Sequence, residues 1–119
     1  MTPFGERLRR LRAERGVTLK EMAQAVGVSA AYLSALEHGR RGRPSWRLVQ
    51  AIIAYFNIIW DEAEELAELA RMSHPRVVID TAGLSPRATL LANTLSERID
   101  RLSEEEIGRM MEILGERAH

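Results

Sequence analysis

Thr18-Leu19-Lys20-Glu21-Met22-Ala23-Gln24-Ala25-Val26-Gly27-Val28-Ser29-Ala30-Ala31-Tyr32-Leu33-Ser34-Ala35-Leu36-Glu37-His38-Gly39 is the stretch that decides the fold. It opens on a capping box, in which the Thr18 hydroxyl accepts from the backbone N–H of Glu21 and the Glu21 carboxylate reaches back to the N–H of Thr18. Leu19, Met22, Ala23 and Val26 then recur on one helical face until Gly27. Ser29 caps a second short helix in which Leu33 and Leu36 face inward, and Gly39 marks its end. The joint between the two is specific. Ala23 sits where one helix passes close to the next, and Gly27 permits a tight bend with positive φ. Val28, Leu33 and Leu36 clamp the second helix across the first.

The pattern extends on both sides. From Phe4 to Arg15 the apolar residues Phe4, Leu8 and Leu11 keep helical spacing, and Gly16 follows as a stop. Arg7, Arg9, Arg10 and Arg12 read as the solvated face of that helix. Downstream, Pro44-Ser45 opens a helix with Trp46, Val49, Ile52, Ile53 and Phe56 on its apolar face, closed by Asn57. Trp46 and Trp60 read as core or interface anchors rather than base-stacking platforms.

Charge separates along the chain. Lys/Arg and Asp/Glu balance at seventeen each, yet residues 1–47 hold ten Lys/Arg against four Glu, and residues 48–119 hold seven Arg against thirteen Asp/Glu. A basic half joined to an acidic half points to a polyanionic partner for the first. The densest basic stretch is Gly39-Arg40-Arg41-Gly42-Arg43-Pro44.

Thr18–Gly39, with Phe-Gly-Glu-Arg-Leu-Arg-Arg-Leu-Arg before it and Gly-Arg-Arg-Gly-Arg-Pro-Ser around its end, resembles the helix-turn-helix of phage-repressor-type (Cro/CI, XRE) transcription regulators. The resemblance covers roughly residues 3–60. It implies an all-α fold: a five-helix bundle, with its fifth helix near Trp60 to Met72, that binds double-stranded DNA as a dimer. The helix beginning at Ser29 would lie in the major groove. By position in the motif, Ser29, Ala30, Ala31, Ser34 and Ala35 would face the bases. This set lacks the Arg, Gln or Asn of bidentate base contacts, so much of the selectivity is expected from DNA shape and phosphate contacts. Thr18, at the start of a helix whose N–H groups suit a phosphate, joins Lys20, Tyr32, His38, Arg40, Arg41, Arg43 and Arg47 as the phosphate-contacting candidates.

Beyond the bundle, Ile59 to Met72 is acidic on one side and apolar on the other, with its acids in the first turns as the helix dipole prefers. His74-Pro75 breaks that helix. Arg76-Val77-Val78-Ile79-Asp80 is the only β-like run in the chain. A lone strand is not stable, so it pairs with a copy of itself, packs as an extended arm, or is not a strand. Ser85-Pro86 starts a helix carrying Ala88, Leu91, Leu95, Ile99 and Leu102, and Ser103-Glu104-Glu105-Glu106 starts another with Ile107, Met110, Met111 and Leu114. Two such helices cannot bury their apolar faces alone: they close on the N-terminal bundle or pair between subunits, and pairing is expected because a half-site reader gains affinity from two copies about one DNA turn apart. The expected division is residues 1–72 for DNA binding and residues 73–119 for dimerisation or interaction.

Other functional classes recede. At 119 residues, 45% hydrophobic and 29% charged, the chain is one ordinary globular domain with a short appendage. It has no cysteine, so thiolate catalysis, disulfides and cysteine-ligated metals are excluded. His38, His74 and His119 have no ligand-spaced companions, no glycine-rich phosphate loop follows a strand, and the acidic clusters sit in first turns where capping explains them. The reading is therefore a non-enzymatic, cytoplasmic regulator, nucleoid-associated when bound to DNA, with no cofactor, metal or membrane partner. It is most simply a homodimeric repressor. The alternative is a protein-interaction module, such as a DNA-binding antitoxin whose C-terminal segment grips a partner protein.

Overall fold

The computed structural model describes residues 1–118, with side chains described through Gly115. His119 lies outside the described residues. These are all-helical: α1 (Pro3–Arg15), α2 (Leu19–Val26), α3 (Ala30–Glu37), α4 (Trp46–Tyr55), α5 (Trp60–Arg71), α6 (Pro86–Arg98), a 3-10 turn (Ile99–Arg101) and α7 (Glu104–Ala118). Local chemistry sets the helix starts. Thr2, Thr18, Ser29, Ser45 and Ser85 each accept a hydrogen bond from the backbone N–H three residues on, each cap contributing about 1 kcal/mol.

The chain divides into two compact units, Met1–Val77 and Val78–His119. In the first, α1 packs on α3 and α5, α2 on α3 and α4, and α4 on α5. Every one of the five helices contributes to a single core, whose fully buried large side chains include Phe4, Leu8, Met22, Leu33, Ile52 and Leu66. Burial of each such side chain is worth about 1.5–3 kcal/mol. Buried Ser73 closes the bundle, accepting from the N–H of Phe4 at 3.0 Å and donating to the carbonyl oxygen of Leu69. This bond carries the first unit past Met72.

Two parts of the first-unit reading need correction. Trp46 does not join the apolar face of α4; it is 75% exposed. The buried stripe runs through Leu48, Val49 and Ile52, and a residue at position 46 lies about 100° around the helix from its centre. Nor is the basic side of α1 simply solvated. The Arg7 guanidinium meets Glu65 at 2.6 Å, and half-buried Arg12 donates from Nε and Nη2 to the Glu37 carboxylate at 2.8 and 3.0 Å.

In the second unit the caps form as expected. Ser85 accepts from Ala88 N–H, and both halves of the Ser103–Glu106 box are present. No residue with a described side chain in this unit is buried. Leu90, Leu91, Met111, Ile113 and Leu114 are all exposed. Arg76–Asp80 is not a strand, and Val78 at its centre is 90% exposed. Asp80 instead starts a turn, accepting from Ala82 N–H at 2.9 Å.

Candidate nucleic-acid interface

The joint between α2 and α3 is built from backbone hydrogen bonds. The N–H groups of Gly27 and Val28 both reach the carbonyl oxygen of Ala23 at 3.0 Å. Gly27 takes φ 81°, a conformation that a side chain bearing Cβ rarely adopts, so the turn stays tight only with glycine.

Three features then fix α3. Leu33 and Leu36 enter the core. Glu37, only 2% exposed, receives the paired hydrogen bonds of Arg12, which also donates to the carbonyl oxygen of Val17 at 3.3 Å. These bonds to Glu37 hold the Arg12 guanidinium above its ordinary pKa. Finally, α1 approaches α3 at backbone distance: a Cβ on Gly5 would lie 2.5 Å from the Leu36 carbonyl oxygen. With α3 so anchored, its N-terminal turn is presented to solvent. Ser29, Ala30 and Ala31 are exposed, while Tyr32, Ser34 and Ala35 are half-buried.

Beside this surface lie the arginines. Arg40, Arg41, Arg43 and Arg47 are all exposed, and among the described residues none forms an ion pair. Arg7, Arg10 and Arg12, by contrast, meet Glu65, Glu6 and Glu37. Four of the bundle's cationic side chains without an ion pair are thus gathered in the α3–α4 loop and the first turn of α4, the others on its helices being Arg9, Arg15 and Lys20. Arg41 ties that loop to α3, its guanidinium carbon 5.9 Å from the centre of the Tyr32 ring, within reach of a cation–π attraction.

The remaining candidates differ in freedom. Lys20 is exposed. Thr18 is occupied locally: its hydroxyl accepts from Glu21 N–H at 3.1 Å and its own N–H donates to the Glu21 carboxylate at 3.2 Å. Those bonds hold the Glu21 carboxyl below the usual carboxylate range. His38 hydrogen-bonds through Nδ1 to the carbonyl oxygen of Ser34 at 2.8 Å, so its ring is turned back along α3. The anchor Arg12–Glu37 escaped sequence reasoning, although Glu37 falls four residues after Leu33 and so lies on the inward stripe.

A short helix pair around a left-handed glycine, with one helix locked into the core and bare at its N-terminal turn, defines a helix-turn-helix. Residues 3–66, more than half of the chain, match the family model described as a helix-turn-helix domain, and the chain belongs to that family. Its relatives include the uncharacterized HTH-type transcriptional regulator RghRB of Bacillus subtilis (strain 168), 34% identical over 61 residues that make up 51% of this chain and 44% of that protein. The HTH-type transcriptional repressor RghR of the same organism is 52% identical over 44 residues, 37% of this chain and 33% of that protein. The HTH-type transcriptional regulator DdrOP3 of Deinococcus deserti is 47% identical over 53 residues, 44% of this chain and 40% of that protein. The chain thus spans less than half the length of each of these three relatives. No helix among the described residues is long and apolar enough to cross a membrane, and no described cluster of acidic or histidine side chains could hold a metal ion.

Proposed function

We propose that the protein is a sequence-selective, double-stranded-DNA-binding transcriptional regulator that acts as a homodimeric repressor, with residues 1–72 reading DNA and residues 73–119 joining the two copies. One observation carries the reading: α3 is locked into the bundle through Leu33, Leu36 and Glu37 and exposes its N-terminal turn, Ser29, Ala30 and Ala31, with four exposed arginines following it that have no carboxylate partner among the described residues. In the major groove, the alanine methyl groups suit thymine methyls and the serine hydroxyl suits several base edges. Arg40, Arg41, Arg43 and Arg47, with Lys20, fix the register on the phosphates. The repressor assignment draws on the name of RghR, a relative over 44 residues.

The apolar faces of α6 and α7 support the dimer, because no residue with a described side chain in that unit is buried within the unit itself. They would equally suit another protein, and this keeps the second reading, in which the segment grips a partner as an antitoxin does. Selection from fragmented bacterial genomic DNA near physiological salt, followed by sequencing of the bound pieces, tests the proposal. A few enriched sites with two-fold symmetric half-sites about one DNA turn apart are expected. Uniform recovery would overturn sequence selectivity, and isolated half-sites would turn the C-terminal segment over to the second reading.

A further inference from the structure

Trp46 and Trp60 are the only tryptophans of the chain, and both stand on the surface of the first unit, 75% and 81% exposed. Their surroundings carry opposite charge. Trp60 follows Ile59 and precedes Asp61 and Glu62, a setting that repels a polyanion. Trp46 opens α4 three residues after Arg43 and directly before Arg47, at the end of the loop that Arg41 ties to Tyr32. The bundle does not need it, since Leu48, Val49 and Ile52 supply the buried side of α4. A ring with an N–H at one edge, set among unpaired guanidinium groups, matches a surface that alternates apolar sugar with anionic phosphate.

We infer that Trp46 contacts the DNA backbone, its ring against a deoxyribose and its indole Nε1–H donating to a phosphate oxygen between the phosphates held by Arg43 and Arg47. The inference rests on the DNA-binding reading above. An indole donates but does not accept, so it suits phosphate oxygen without distinguishing bases. Its few rotatable bonds make it cheap in entropy to fix, so it acts as a register pin for the first turn of α4. Stacking between bases is the less suitable role, because a duplex would have to unstack to admit the ring.

The two tryptophans supply their own control. In full-length Trp60→Phe, Trp46 is the only indole; in Trp46→Phe, Trp60 is. Each variant is titrated with sheared bacterial genomic duplex DNA at low salt, with binding followed independently by electrophoretic retardation. At saturation, acrylamide quenching of Trp46 should fall by about half or more, as interfacial burial excludes the quencher, while quenching of Trp60 stays unchanged. Trp46→Ala should weaken retardation about tenfold and leave the salt dependence as steep as before, because no charge has been removed. Retardation of Trp60→Phe with Trp46 quenching unaltered would overturn the inference and leave the DNA-binding reading standing. Absence of retardation for the unaltered chain would overturn both. Because the quenching test keeps Trp46 in place, it stands even if Trp46→Ala were to fold poorly.

Discussion

Met1–Val77 and Val78–His119 are made of the same material, capped amphipathic helices, and reach opposite states. The first unit buries a continuous core drawn from all five of its helices. The second has helices at least as well capped, one opened by Ser85-Pro86 and the other by the Ser103–Glu106 box, yet buries none of its described side chains. Capping decides where a helix begins; it does not supply the burial that holds a tertiary structure together. In the reading proposed above, recognition falls to the unit that is complete and association to the one that has helix starts but no core.

The comparison breaks most readily at the anchor of α3. Arg12→Ala strands the Glu37 carboxylate in the core and should cost about 3–5 kcal/mol, much of the stability of so small a unit. Urea unfolding followed by circular dichroism would show it. If the cost is that of an uncompensated charge, Arg12→Met combined with Glu37→Leu should recover most of the loss. Recovery of nothing would mean that α3 is held by some other contact.

On the other side of the comparison, Leu91→Glu with Leu114→Glu places charge on the apolar faces of α6 and α7. Each leucine that had been buried between copies would forfeit about 1.5–3 kcal/mol, so the pair should halve the mass in solution while the first unit melts as before. A fall in the stability of the first unit instead would show that these faces close within one copy.

Charge sharpens the contrast at a smaller scale. Removing Arg40, Arg41 or Arg43 singly should flatten the salt dependence of DNA binding by about one phosphate contact each, whereas removal of Arg7, already paired with Glu65, should leave it unchanged. Smallest is the pH response of the caps. Hydrogen bonds from Ser103 hold the Glu106 carboxyl below its ordinary range. The stabilisation is therefore full above the unfolded carboxyl pKa and is lost as pH falls through the lower folded value. Helicity of the second unit should decline on acidification in that window, and Glu106→Gln, which takes away the titrating carboxylate that accepts from the Ser103 N–H, should remove this component.

What could be read in advance divides by range. Helix starts were legible because each cap acts across three residues: Thr18 with Glu21, Ser29 with Tyr32, Ser45 with Leu48. So were the turn at Gly27 and the exposure of Ser29, Ala30, Ala31 and the loop arginines, which follow from the apolar residues between them. Contacts that depend on the assembled bundle were not. The Arg12–Glu37 pair joins positions 25 apart and the Ser73–Phe4 bond positions 69 apart, and no local pattern announces either. Trp46 misled for a related reason. Spacings of three and seven to Val49 and Ile53 fit an apolar face, but neighbouring helices select a stripe centred on Leu48, Val49 and Ile52 and leave the indole outside. Tyr32 and His38 fall between, since the half-burial of the one and the backward turn of the other depend on Arg41 and on the Ser34 carbonyl oxygen.

The most direct test of the division between a complete unit and an incomplete one is the mass of the full chain by sedimentation equilibrium, without DNA or any partner. Twice the 13.5 kDa of one chain is the expected result. A stable monomer of 13.5 kDa across the accessible concentration range would contradict self-association through the second unit.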